Sequence, residues 1–392
     1  MINKDKTIIL NGNIITPFQL LKNKAICIEK GKISSIKDRK YIINHVNTEI
    51  IDAAGGFIVP GFIDIHVHGG GGFDVMDGNY EAVKEVAITH SRFGTTAFLP
   101  TTMTMSKEKI LISLESINKA FIEGTGAAEI LGVHLEGPFI NPQKKGAQKE
   151  EDIIKASVED FIEFNQASGN LIRIVTIAPE MPGAIELIRW LHKNNIIASV
   201  GHSNATYGEV QEGIKAGLTH ATHIFNAMRG FDHREPGAAG AALSSPKLIV
   251  EMIADGVHLH PVTMKMIVKI KEPEKIILIT DAISATSKPE GTYSLGGQEV
   301  MVANGEARLK DGTLAGSILT LDKAVRNMVN IAGISLMEAI RKVTINPAKC
   351  LGVENKKGSL EQGKDADIVI LDGNIKVNVT MVRGQIVYRG EL

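Results

Sequence analysis

The sequence predicts an α/β fold: a (β/α)8 TIM-like barrel with a small β-sandwich domain built from both chain termini. Three observations predict it. Between residues 62 and 282, eight short apolar strand patterns alternate with segments of helical spacing. Several of those strands end in histidine or acid, where such barrels carry their chemistry. Both ends of the chain read as short alternating strands separated by turn residues.

The length of 392 residues exceeds what one core usually serves unless that core is a large barrel. Apolar residues make up 44% and charged residues 22%, an ordinary globular balance. The net charge of −1 implies neither a nucleic-acid nor a membrane partner. No apolar run approaches the ~18 residues of a membrane span. The polar start Met1-Ile-Asn-Lys-Asp-Lys6 does not read as a signal peptide. Cys27 and Cys350 lack any paired spacing and suit a reducing compartment, so a cytoplasmic location is expected.

In chain order, the first ~57 residues alternate with period two, with turns at Asn11-Gly12-Asn13 and Lys30-Gly31-Lys32. Segments 367–371, 377–382 and 386–388 read the same way. Residues 1–57 plus 356–392 are therefore assigned to the small β domain and 58–355 to the barrel. The barrel strands are placed at 62–68, 95–100, 130–136, 172–179, 196–202, 220–226, 249–255 and 275–282.

The strand ends carry the functional signal. The first ends in His66 and His68, two residues apart and so on one strand face, before the glycines 69–72. A lone His-x-His is common and carries little by itself. The third strand ends in Glu136, the fifth in His202, the sixth carries His223, and the eighth ends in Asp281. Neutral imidazoles and a carboxylate suit a divalent ion with an open position for water. Such an ion acidifies its water into a nucleophile, and a neighbouring carboxylate such as Asp281 can serve as general base and acid. Spacing alone does not separate a ligand from a base. His134 shares the face of Glu136 and reads as a barrel-interior group rather than a ligand. His220 has the opposite parity from His223 and is expected to face the helices. Asp64 is expected to hydrogen-bond within the barrel. His45, His90 and His192 read as surface residues.

These motifs resemble the amidohydrolase superfamily, and within it the N-acetylglucosamine-6-phosphate deacetylase family, over essentially the whole length. The resemblance rests on Gly61-Phe-Ile-Asp-Ile-His-Val-His-Gly69, His134-Leu-Glu-Gly-Pro-Phe139, Lys144-Lys-Gly-Ala-Gln148 and Gly201-His-Ser-Asn-Ala-Thr206. It continues in His223-Ile-Phe-Asn-Ala-Met228, Arg234-Glu-Pro-Gly237, Ala254-Asp-Gly-Val-His258, Thr280-Asp-Ala282 and Leu314-Ala-Gly-Ser317. The tail 358–367 is superfamily-wide and says little about substrate.

The resemblance implies hydrolysis of N-acetyl-D-glucosamine 6-phosphate to D-glucosamine 6-phosphate and acetate, in amino-sugar catabolism or cell-wall recycling. Metal-bound hydroxide is then the nucleophile and Asp281 the catalytic acid and base. It implies Glu136, His202 and His223 as metal ligands, with His66 and His68 open to a second ion bridged by Glu136. One or two divalent ions (Zn, Fe, Mn or Co) per subunit fit. Ala147, Gln148, Asn226, Ala227, Arg234, His258, Leu314, Ala315 and Gly316 are implied to contact the sugar phosphate. A homodimer is implied, with Arg234 reaching the neighbouring active site. Some members carry histidine where this chain has Gln148, which cannot supply a positive charge. The fourth strand ends Thr176-Ile-Ala-Pro179, without the metal-bridging lysine of other amidohydrolases. The rival readings are an adenine deaminase, a cyclic-amide hydrolase or, more remotely, a non-catalytic barrel.

Overall fold

The computed structural model describes residues 6–42 and 48–390. Eight parallel strand positions form the barrel. They are Phe62–Val67, Thr95–Pro100, Glu129–Ile130 continuing as Val133–Glu136, Ile172–Ile177, Ile197–Val200, His220–Ala221, Ile249–Ile253 and Ile276–Ile279. The pairings between neighbours are parallel throughout. Bridges Thr101↔His134 and Val67↔Ala282 join the two runs of strands into a ring. Their side chains are almost all buried, as expected where helices cover the outside and side chains fill the inside.

The helices start where the sequence supplies caps. Asn79, Ser106 and Ser157 each accept a backbone N–H from the first turn of the helices Tyr80–Ser91, Lys107–Glu123 and Val158–Ala167. Thr206 and Glu209 form a reciprocal capping box at Tyr207–Ala216. Each helix turns an apolar stripe to the barrel; Val83, Val86, Ala87 and His90 make that stripe on the first.

Two sheets from the chain ends face each other across a core that includes Ile9, Ile26, Ile58, Ile368 and Met381. One has Lys32–Asp38, Lys24–Glu29, Lys6–Leu10 and Thr48–Asp52 as neighbours. The other joins the final strands to Phe57–Pro60 and Asn13–Ile15. Lys357, only 4% exposed, ties this region to the barrel. Its ammonium lies 2.6 Å from Asp367, 3.2 Å from Asp365 and 2.8 Å from Glu129 at the foot of the third strand. The Glu129 oxygen lacks hydrogen-bond alignment, so that contact is a charge pair. Among the described residues no helix is long and apolar enough to cross a membrane.

Two strands depart from the expected pattern. The third is interrupted at Gly132, whose φ is 153° and where a Cβ would lie 2.8 Å from the Leu171 carbonyl. The sixth stops at Ala221 instead of running to 226. His223, Phe225 and Ala227 then take φ of 28°, 74° and 47°, so the chain coils at the mouth of the barrel. A further element was not foreseen. After the eighth strand, Gly291–Leu295, Gln298–Ala303 and Glu306–Arg308 form a three-stranded antiparallel flap. It returns over the C-terminal face, where Gly296 N donates to Asp74 across 3.0 Å and Gln298 donates to the Ala147 carbonyl.

Candidate metal and active site

The strand ends converge as their residue types predict. Glu136 Oε1 lies 3.2 Å from His202 Nε2 and 3.0 Å from His223 Nε2. Its other oxygen lies 3.3 Å from His68 Nε2, and His66 Nε2 is 3.5 Å from Oε1. Asp281 Oδ1 faces His66 Nε2 at 3.4 Å and His68 Nε2 at 3.2 Å. Three of these residues sit on strained backbone: φ is positive at His202 (46°), His223 (28°) and Asp281 (51°). Non-glycine residues hold such conformations only where the surroundings fix them, typically at functional sites.

The donor set fits a divalent cation. Glu136, His202 and His223 form one group, and His66, His68 and Asp281 a second, with Glu136 between them. His66 and His68 point Nε2 at each other across 3.2 Å, as do His202 and His223. Two lone pairs cannot face each other favourably at that distance; a shared cation removes the conflict. At His68 and His202 the opposite ring nitrogens are occupied, whereas among the described residues His223 Nδ1 has no partner. His68 Nδ1 donates to the Thr101 carbonyl at 3.2 Å and His202 Nδ1 to the Lys144 carbonyl at 2.9 Å. Such bonds fix the tautomer that leaves Nε2 free for a metal.

Electrostatics follows from burial and opposed charge. Burial works to raise Glu136, but the charges of His66 and His202 and the histidine hydrogen bonds hold it well below the carboxylate range. Burial also works to raise Asp281, yet His66 and His68 bring it to about 2. His223 is disfavoured as a cation by burial, but Glu136 and Asp281 carry it up to about 9. His68 moves up for the same reasons. Burial dominates at His66, which falls to about 4.

Above the cluster lies a pocket with a cavity volume of about 180 Å³. His68, Glu136, Ala147, Gln148, His202, Asn226, Ala227, His258, Leu314 and Asp281 are all on its wall, together with His223 and Gly316. His258 lines it with Nδ1 held by Asp255 at 2.6 Å, which leaves Nε2 available. Gln148 has a second partner: it donates to Glu136 Oε2 at 2.8 Å. Two expected contacts do not reach the pocket in this chain. Ala315 is fully buried behind Leu314 and Gly316, and Arg234 stands exposed on the loop that follows the sixth strand. Among the described residues no arginine or lysine lines the pocket.

Other histidines correct or support the reading. His134 is interior, with Nδ1 donating to the Ile65 carbonyl at 3.0 Å and Nε2 2.8 Å from Thr176 Oγ1, so neither nitrogen is free. Asp64 accepts from Thr280 Oγ1 at 2.6 Å inside the barrel. His90 is not a surface residue: it is fully buried and donates to the Gly69 carbonyl at 2.9 Å, bracing the turn after His68. His220 does not face outward. It pairs in register with Ile249, on the inner face that carries Glu251, and its ring meets Cys350 Sγ at 3.1 Å. His192 is exposed, and His45 lies outside the described residues. Met103, Gly146, Leu295 and Thr313 line the pocket without having been foreseen, and Glu251 stands 3.1 Å from His66 Nδ1.

The amidohydrolase family matches residues 57–387. The N-acetylglucosamine-6-phosphate deacetylase of Bacillus subtilis is 40% identical over 378 residues, covering 96% of this chain and 95% of that protein. The N-acetylgalactosamine-6-phosphate deacetylase of Escherichia coli O157:H7 is 38% identical over 373 residues, covering 95% and 97%. The crystal structure of N-acetylglucosamine-6-phosphate deacetylase from Pasteurella multocida superposes with a TM-score of 0.93 at 31% identity, covering 98% of this chain and all of that one.

Proposed function

The chain belongs to the amidohydrolase family, and from that premise we propose that it removes the acetyl group from N-acetyl-D-glucosamine 6-phosphate, giving D-glucosamine 6-phosphate and acetate. The observation that carries this reading is Glu136 set between two groups of imidazoles, with Asp281 beside them, on the wall of a pocket of sugar size. We assign Glu136, His202 and His223 to one divalent ion and His66, His68 and Asp281 to a second. When bound, such ions polarise the acetamido carbonyl and lower the pKa of the attacking water.

The chain's own residues do the rest. Asp281, ionised at neutral pH, takes the proton of the attacking water and returns it to the amine nitrogen as the C–N bond breaks. The amine could not leave as an anion, so this proton transfer is required. His258 Nε2 offers a hydrogen bond to the carbonyl oxygen or to a sugar hydroxyl. Asn226 and the Ala227 backbone border the sugar. Among the described residues no arginine or lysine lines the pocket to meet the 6-phosphate, which supports a homodimer in which Arg234 enters from the neighbouring subunit. A complete ligand set argues against the non-catalytic reading.

Acetate release, with metal content measured on the same sample, tests this. N-acetylglucosamine 6-phosphate should be the preferred substrate over its 4-epimer, N-acetylgalactosamine 6-phosphate. Release of ammonia from adenine or opening of a cyclic amide, without acetate release, would overturn it. Asp281→Asn should lose about 10²–10⁴-fold in kcat while the Glu136, His202 and His223 ion stays bound.

A further inference from the structure

We propose that Glu251 is a positioning residue for the second ion: it fixes His66 as a ligand and links that site to the first. Glu251 sits mid-strand in Ile249–Ile253 and is completely buried. A carboxylate inside an apolar barrel costs several kcal/mol unless its oxygens are used. Oε2 is used twice. It lies 3.1 Å from His66 Nδ1 and accepts the backbone N–H of His223 at 3.4 Å. Among the described residues, Oε1 has no hydrogen-bond partner.

The His66 contact decides which nitrogen faces the metal. With Nδ1–H donated to Glu251, the lone pair sits on Nε2, the atom that faces His68, Glu136 and Asp281. His68 and His202 are oriented by neutral backbone carbonyls instead. His66 alone of these three is held by a carboxylate, which raises the basicity of the ring as well as aiming it. The same oxygen fixes the backbone at His223, a residue of the first group held at a strained φ of 28°. Glu251 is not itself a ligand in this arrangement. It meets the far nitrogen of His66, and its other neighbour His134 has both nitrogens engaged.

This inference rests on the two-ion reading above. The test is titration of chelator-stripped enzyme with Zn2+, reading stoichiometry and both dissociation constants for wild type, Glu251→Gln and Glu251→Leu. Wild type should bind two ions. Glu251→Leu should weaken the second ion about 100-fold and Glu251→Gln about tenfold, because an amide oxygen still accepts Nδ1–H and the His223 N–H, with the first ion changed less than about threefold in Glu251→Gln. A merely structural role predicts a lower melting temperature with an unchanged ratio of the two constants in Glu251→Gln, and that result would overturn the assignment even if Glu251→Leu fails to fold. A wild-type stoichiometry of one would sink the two-ion reading and this inference with it. Two equally tight ions in Glu251→Gln would sink this inference alone.

Discussion

Gln148 donates its amide to Glu136 Oε2 across 2.8 Å, while its own oxygen accepts the Thr104 backbone N–H at 2.7 Å. The side chain is therefore held at both ends, with one end on the carboxylate between the two imidazole groups. A neutral amide suits this task, because a carboxylate here would repel Glu136. Gln148→Leu should lower kcat about 10–100-fold and weaken metal retention, through loss of the bond that aims Glu136. Gln148→His, which keeps an N–H donor, should retain more activity. Steady-state kinetics with metal analysis separates the cases. A rise in KM alone, with metal intact, would confine Gln148 to substrate contact.

Arg234 is exposed and lies off the pocket of its own chain, and the proposed homodimer pairs it with the phosphate in a neighbouring site. A charge-assisted hydrogen bond is worth about 1.5–3 kcal/mol, so Arg234→Ala should lower kcat/KM about 10–100-fold on the phosphorylated sugar. Unphosphorylated N-acetylglucosamine should be little affected. Mixing inactive Asp281→Asn subunits with Arg234→Ala subunits should restore activity, because each hybrid dimer then has one site with both residues. If Arg234 served its own chain, no hybrid site would be complete and mixing would restore nothing.

The barrel and most of the site were legible because titratable residues close otherwise apolar strands. His66, His68, Glu136, His202 and Asp281 lie at the ends of runs whose other members are mostly buried aliphatics. What lay beyond strand logic was not legible. His223 leaves the sheet at a positive φ, so counting parity from it put His220 on the wrong face. Tertiary packing sets that coil, and nothing local announces it. Other misses had signals. His90 falls on the 83, 86, 87, 90 helical stripe, and Glu251 is a lone acid in an apolar strand. The flap carries Gly296-Gly297 and Asn304-Gly305 between alternating stretches, both strong hairpin dipeptides.

Lys357 joins barrel and terminal sheets through three carboxylates, and its burial makes the pairing consequential. Replacing it leaves Asp367 without its cation and leaves Glu129 with Arg383 alone. Lys357→Met should destabilise the protein by about 3–5 kcal/mol, whereas removing the exposed pair Lys215–Glu212 should cost under about 1 kcal/mol. Denaturant midpoints at neutral pH would show the contrast. Equal effects from the two changes would mean that Lys357 is as solvated as a surface lysine.

The imidazole cluster also sets how the metal-free protein responds to pH. In the unfolded chain the histidines titrate near 6.5, whereas folding carries His223 to about 9 and raises His68 as well. A group with a raised folded pKa stabilises fully below its unfolded value, and that stabilisation is lost as pH rises toward the folded value. The metal-free protein should therefore melt at lower temperature at pH 8 than at pH 6.5. Asp64 and Glu251, both pushed by burial to about 7, add the same sign at the lower end of that window. His66, His90 and His134, brought to about 4, and His220, brought to about 3, are neutral when folded but half-protonated when unfolded at pH 6.5, so they oppose the trend at the lower end of the window, and Lys271, lowered to about 8, opposes it chiefly above. Metal binding needs neutral imidazoles, so it must expel the protons that the metal-free cluster holds. Zn2+ binding at pH 7 should release about one proton or more, and each proton released tightens binding by about 1.4 kcal/mol per pH unit. Calorimetry in buffers of different ionisation enthalpy measures that release directly. A metal-free melting temperature that is flat from pH 6.5 to 8, with no protons released on binding, would mean that the carboxylates do not hold the cluster protonated.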